Sequence, residues 1–156
     1  MRIAYAGTPE FAVPALKALA ASGHQILAVI SQPDRRIGRG QKLGFSPVKQ
    51  AALELDLPIL QPSNINSEES LAQLQALNLD LMVVAAYGQL FSDSVLQLPE
   101  YGCINIHASL LPRWRGASPI HHAILADDKE TGISIMQMVK RMDAGAVWAK
   151  DSCAIT

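Results

Sequence analysis

Short apolar runs alternate along the chain with stretches of helical period, and Gly, Pro or Ser marks most of the changes. Arg2–Ala6 predicts a buried strand. In Gly7-Thr8-Pro9-Glu10 the expected sequence is a turn, an N-cap at Thr8, a proline at the first helical position and an acid in the first turn. That helix should run to about Ser22 and stop at Gly23. Gln25–Ser31 predicts a second strand and Gln32–Phe45 a polar, glycine-bearing loop. Ser46-Pro47-Val48 opens a helix that ends near Leu57-Pro58, followed by a short strand at Pro58–Gln61. Ser67–Ala76 is expected to be helical, Asp80–Ala86 a strand buried on both faces, and Ser92–Leu98 a short helix. Gly102–His107 reads as a strand, Ser118–Leu125 as a helix, Gly132–Met138 as a strand and Trp148–Ala154 as the start of one more. Strands alternating with helices predict an α/β fold with a doubly wound, mostly parallel, Rossmann-like sheet.

The strand ending at His107 carries the most chemistry. Its alternation sends Ile104 and Ile106 to one face and Cys103, Asn105, His107 and Ser109 to the other. An amide and an imidazole then stand about 7 Å apart near a C-terminal strand end, where open parallel sheets bind ligands. Asp143 follows the strand Gly132–Met138, which is expected to bring a carboxylate to the same sheet edge. A carboxylate fixes a neighbouring imidazole and favours its charged form. An Asn side chain donates to a developing oxyanion. Together the three suit direct acyl transfer. Spacing alone leaves His107 open as a packed histidine and Asp143 as an ordinary loop acid.

Other chemistries fit less well. The first turn lacks the later glycines of a dinucleotide fingerprint and the Gly-Lys-Ser/Thr of a P-loop, so Thr8-Pro9 is a helix start or a ligand-facing turn. Ser109 has no G-x-S-x-G elbow around it, and Cys103 sits in an apolar strand as a packed thiol. Neither cysteine is part of a C-x-x-C pair, and His107, His121 and His122 are not at metal-ligand spacing, so no metal is expected. At 49% hydrophobic and 17% charged residues, the 156-residue chain should fold as one globular domain. Its net charge of −1 confines any nucleic-acid site to a local patch. Met1 leads at once into a strand, and no apolar run is long enough for a membrane span, so the expected setting is cytoplasmic, with no membrane partner.

Asn105-Ile-His107-Ala-Ser109-Leu-Leu-Pro112, followed by Arg113-Trp-Arg-Gly-Ala-Ser-Pro119, resembles the signature of folate-dependent formyltransferases. The resemblance implies a catalytic trio of Asn105, His107 and Asp143. Asn105 and His107 would be oxyanion donors, with Asp143 orienting the ring and helping to remove a proton. It implies 10-formyltetrahydrofolate as co-substrate, with Ser109, Leu110, Leu111 and Pro112 as its loop. The turn Tyr87-Gly88-Gln89-Leu90 would help wall the pterin pocket.

Ala6–Ala12, Gln32–Lys42 and Ser46–Lys49 resemble the branch of that family that acts on tRNA, which implies initiator methionyl-tRNA as the acceptor. Arg35, Arg36, Arg39 and Lys42 crowd one loop beside Gly38 and Gly40, a composition able to reach phosphates, or simply a solvated charged loop. The resemblance makes Arg39 the principal tRNA contact. Lys140–Ala146 looks more like the sugar-nucleotide branch, so a sugar-nucleotide amine is the alternative acceptor. The resemblance also implies a longer protein, of which residues 1–156 are a catalytic domain incomplete at its C-terminal end and without a C-terminal barrel domain; a monomer is expected. An inactive folate- or RNA-binding fragment is the second alternative.

Overall fold

The computed structural model describes residues 1–37 and 42–156. Its main sheet is built from β1 (Arg2–Gly7), β2 (Gln25–Ile30), β5 (Ile59–Leu60), β6 (Leu81–Ala85), β7 (Cys103–His107), β8 (Glu130–Gln137) and β9 (Val147–Ala154). Their spatial order is β5-β2-β1-β6-β7-β8-β9. The first five are parallel, whereas β8 runs antiparallel to both β7 and β9. The chain moves from β1 to β2 and β5 on one side, then returns to β6 and β7 on the other. The reversal lies between β1 and β6, and ligands of such sheets bind at the C-terminal strand ends beside it.

Alternation along each central strand feeds two cores. Ala4, Ala6, Met82 and Val84 pack on one face with Leu74 of α3 (Glu68–Ala76) and Val95 of α4 (Asp93–Leu96). Ile3, Tyr5 and Val83 pack on the other with Leu16 of α1 (Val13–Ala21) and Val48 of α2 (Pro47–Glu54). Each large apolar side chain removed from water here contributes about 1.5–3 kcal/mol. Cys103 belongs to the first core and Ile104 and Ile106 to the second, as the strand's alternation predicts. The helix starts at Ser46, Ser67 and Ser92 follow the local rule, each hydroxyl accepting the backbone N–H three residues on.

Three expectations are corrected. Thr8 caps no helix. A 3-10 turn (Glu10–Ala12) precedes α1, with Pro9 as its extended N-cap, and the Thr8 hydroxyl instead donates to the Tyr87 carbonyl at 2.8 Å. Gly7 explains why this turn is so tight, because a Cβ there would lie 2.8 Å from Ala12 Cβ and 3.0 Å from the Ala85 carbonyl oxygen. Second, Gln32–Phe45 is not only loop: β3 (Arg35–Ile37) pairs antiparallel with β4 (Lys42–Gly44). Asp34 at its base takes Lys49 Nζ at 2.5 Å and Gln61 Nε2 at 2.8 Å, tying it to α2 and the segment after β5. Third, because β8 is antiparallel, its end lies opposite Ile104, short of His107. The three-residue offset is roughly 10 Å along the strand. The loop after β8 must therefore fold back to bring Asp143 to the ligand edge.

Candidate active site

The site is a cleft of about 670 Å³ at the sheet reversal, lined by the turns after β1, β6 and β7, the start of α5 (Pro119–Leu125) and the loop after β8. Its floor and walls are mainly apolar, including Phe11, Val84, Ile106, Met138 and Met142. This size and lining are those of a small-molecule site.

His107 ends β7 and is 6% exposed. Its Nε2 lies 2.9 Å from the Trp114 carbonyl oxygen, and its Nδ1 lies 3.8 Å from Asp143 Oδ2. A carbonyl oxygen only accepts, so Nε2 carries a proton in this arrangement and Nδ1 is the nitrogen left for chemistry. Asp143 is itself held by the backbone N–H of Gly116, which donates to Oδ2 at 2.7 Å. That bond joins the returning loop to the segment after β7. Asp143 adopts a left-handed φ of 48°, a conformation more accessible to Asp than to most residues. Gly145, two positions on, sits so close to the Gln137 carbonyl that a Cβ would overlap it. The loop closes there through Gln137 N–H donating to Ala146 at 2.9 Å.

Asn105 faces the same cleft, and its side-chain amide has no protein partner among the described residues. The cleft thus brings Asn105, His107 and Asp143 together. Tyr87, Gly88, Gln89 and Leu90 line it as well. The Tyr87 hydroxyl is buried with no hydrogen-bond partner among the described residues, and burial pushes its pKa up to about 12. An unmet buried hydroxyl is a costly arrangement. Gln89 Oε1 instead accepts from the Ile65 N–H at 2.8 Å, fixing the turn.

Ser109–Pro112 lie outside the cleft lining. Ser109 and Leu111 are buried. The Ser109 hydroxyl donates to the Arg113 carbonyl at 2.6 Å, the Leu111 N–H donates to Ser134 Oγ at 3.0 Å, and Lys150 Nζ donates to the Leu111 carbonyl. In this arrangement the segment anchors the turn that presents Trp114 to His107. Arg35 and Arg36 are exposed on β3, Lys42 starts β4, and Arg39 lies outside the described residues. Lys140 pairs with Asp93 at 3.0 Å. Among the described residues no cluster of three or more His, Cys, Asp or Glu could hold a metal, and no helix is long and apolar enough to cross a membrane.

The strand pattern could not reveal Trp114, Asp128 and Gly116, which act through backbone atoms or across distant segments. Pro9 and Phe11 line the cleft too, and the ligand-facing alternative for the first turn was the signal for them.

The family described as formyl transferase matches residues 1–156. A methionyl-tRNA formyltransferase of Methylococcus capsulatus is 57% identical over 155 residues, covering 99% of this chain and 50% of that relative. One from Thiobacillus denitrificans is 58% identical over 150 residues, covering 96% and 48%. The chain thus spans about half the length of these curated relatives. Among solved structures, a phosphoribosylglycinamide formyltransferase from Bacillus halodurans superposes with a TM-score of 0.79 at 22% identity, covering all of this chain and 81% of that one. That likeness speaks to the fold, and the family match spans the whole sequence: the chain belongs to the formyl transferase family.

Proposed function

We propose that the full-length protein transfers the formyl group of 10-formyltetrahydrofolate to the α-amine of initiator methionyl-tRNA, in the cytoplasm. The observation that carries the reaction class is the approach of His107 Nδ1 to Asp143 Oδ2, 3.8 Å, beside the Asn105 amide, which has no protein partner among the described residues. The acceptor is inferred from relatives at 54–58% identity whose names specify methionyl-tRNA.

The cleft fits the co-substrate: its apolar lining suits a pterin, and the Asn105 amide offers a polar contact. Bound 10-formyltetrahydrofolate supplies the formyl carbon and a nitrogen leaving group. An α-amine with a pKa of about 7.7–8.0 is substantially neutral near pH 7 and able to attack. Nδ1 of neutral His107 takes the proton that the amine loses, and Asp143 stabilises the imidazolium so formed. The same proton is then returned to the departing nitrogen. General acid–base help of this kind is worth about 10²–10⁴-fold. With the Nε2 proton given to Trp114, the donor to the developing oxyanion is Asn105 rather than His107. Losing such a donor costs about 2.7–4 kcal/mol. The basic segment Arg35, Arg36, Arg39 and Lys42 would hold tRNA phosphates.

The test is a formylation assay of the full-length protein with 10-formyltetrahydrofolate and, in parallel, methionyl-tRNA or an amino sugar nucleotide. Product on the tRNA, lost in His107→Ala and weakened with a shallower salt dependence in Arg39→Ala, is expected. Product on the sugar nucleotide alone, or undiminished turnover in His107→Ala, overturns the reading.

A further inference from the structure

Asp128, beyond α5 and outside the cleft lining, is the most heavily bonded carboxylate among the described residues. It accepts Arg113 Nε at 2.8 Å, Arg113 Nη2 at 2.7 Å and the indole N–H of Trp114 at 2.7 Å. Its own backbone N–H donates to Ala123 of α5 at 3.0 Å, so the carboxylate is fixed to the scaffold. Two neighbours pack on the Trp114 ring. Its ring centroid is 5.5 Å from that of His122 with 15° between planes, and the Arg113 guanidinium carbon lies 4.3 Å from the ring centroid.

All this restraint acts on a residue with a left-handed backbone, φ 59°, which costs energy for a bulky side chain. What the conformation delivers is the Trp114 carbonyl, 2.9 Å from His107 Nε2. Ser109 Oγ, 3.5 Å from the same oxygen, supports it from the other end of the turn. A ring nitrogen facing a fixed acceptor must carry the proton, and the tautomer of the other nitrogen follows.

We infer that Asp128 is a positioning residue that keeps the proton of neutral His107 on Nε2, acting through the indole and carbonyl of Trp114, and so leaves Nδ1 free to work with Asp143. The inference rests on the acid–base role given to His107 above. Without Asp128 the turn relaxes from its left-handed backbone, the carbonyl withdraws, and neutral His107 samples both tautomers with its Nε2 proton open to exchange.

The experiment is 15N and proton NMR of the histidine side chains in wild type, Asp128→Ala and Trp114→Phe, at a pH where His107 is neutral. Trp114→Phe keeps an aromatic ring on His122 and removes only the indole donor, so it serves should Asp128→Ala not fold. The wild type is expected to show a slowly exchanging Nε2 proton and an unprotonated Nδ1. Either folded variant should lose the protected proton and show a mixture of tautomers. In the full-length protein kcat should fall about tenfold, one 1.36 kcal/mol step, with KM for both substrates unchanged. A wild-type His107 signature in a folded variant overturns the inference. The signature needs no turnover, so it is separable from the proposed function, which fails instead if His107→Ala retains full activity.

Discussion

Replacing Gly145 with Ala tests whether the loop after β8 earns its geometry from that single missing Cβ. The new methyl would overlap the Gln137 carbonyl oxygen and carbon, both backbone atoms of β8. Neither can swing away like a side-chain tip, so the loop must move by on the order of 1 Å to restore van der Waals contact. The Gln137–Ala146 hydrogen bond at 2.9 Å closes the loop at that point, and Asp143 stands two residues before Gly145. A shift there opens the 2.7 Å bond from Gly116 and the 3.8 Å approach to His107. Overpacking of this type costs about 1–3 kcal/mol of stability, read as a fall in Tm of roughly 2–4 °C per kcal/mol. Displacing a reacting group by about 1 Å costs on the order of 10²-fold in rate, near 2.7 kcal/mol. The assay pairs thermal unfolding with steady-state formylation by the full-length protein. A variant that folds with a lowered Tm and turns over about a hundredfold more slowly supports the reasoning. Turnover within twofold of wild type would refute the claim that Gly145 sets the position of Asp143.

Asp143→Asn should leave the fold intact, because the amide oxygen still accepts from Gly116, while kcat falls by about 10²–10⁴ in the formylation assay. Asp128 links stability to acid. Hydrogen bonds from Arg113, then Trp114, hold its pKa down to about 2, below the unfolded value of about 3.9. A depressed carboxylate stabilises the fold above its unfolded pKa, and that contribution drains away as pH falls through about 2. Urea unfolding between pH 5 and pH 2, taken as approximate limits, should therefore show a loss in wild type that Asp128→Asn lacks. Burial pushes the Cys103 thiol up to about 12, so iodoacetamide at neutral pH should leave Cys103 unmodified until the protein unfolds, as mass spectrometry of peptides would show.

The helix starts were legible because they are local. Ser46, Ser67 and Ser92 each satisfy an N–H three residues away, within one turn of their own helix. The central strands were legible because β1 and β7 divide their side chains between two cores, and alternation records that division. The hairpin of β3 and β4 was not visible. Its three-residue strands, rich in Arg, Lys and Gly, carry no apolar alternation, and the bonds that tie its base come from the distant Lys49 and Gln61 reaching Asp34. Thr8 misled because a hydroxyl before a helix has two ways to be satisfied, and here the Tyr87 carbonyl, after the neighbouring strand β6, takes the bond.

By itself the sequence determined the layered α/β architecture and the placing of Asn105 and His107 on one strand, since side-chain period depends only on the backbone. Strand direction lies outside that period: the order of the elements predicts a parallel strand after a crossover, yet β8 runs antiparallel. Only the tertiary structure decided that the loop after β8 folds back to carry Asp143 to His107, and that the Trp114 carbonyl claims the Nε2 proton. Both depend on backbone atoms brought together across the chain, and a backbone carbonyl leaves no trace in residue identity.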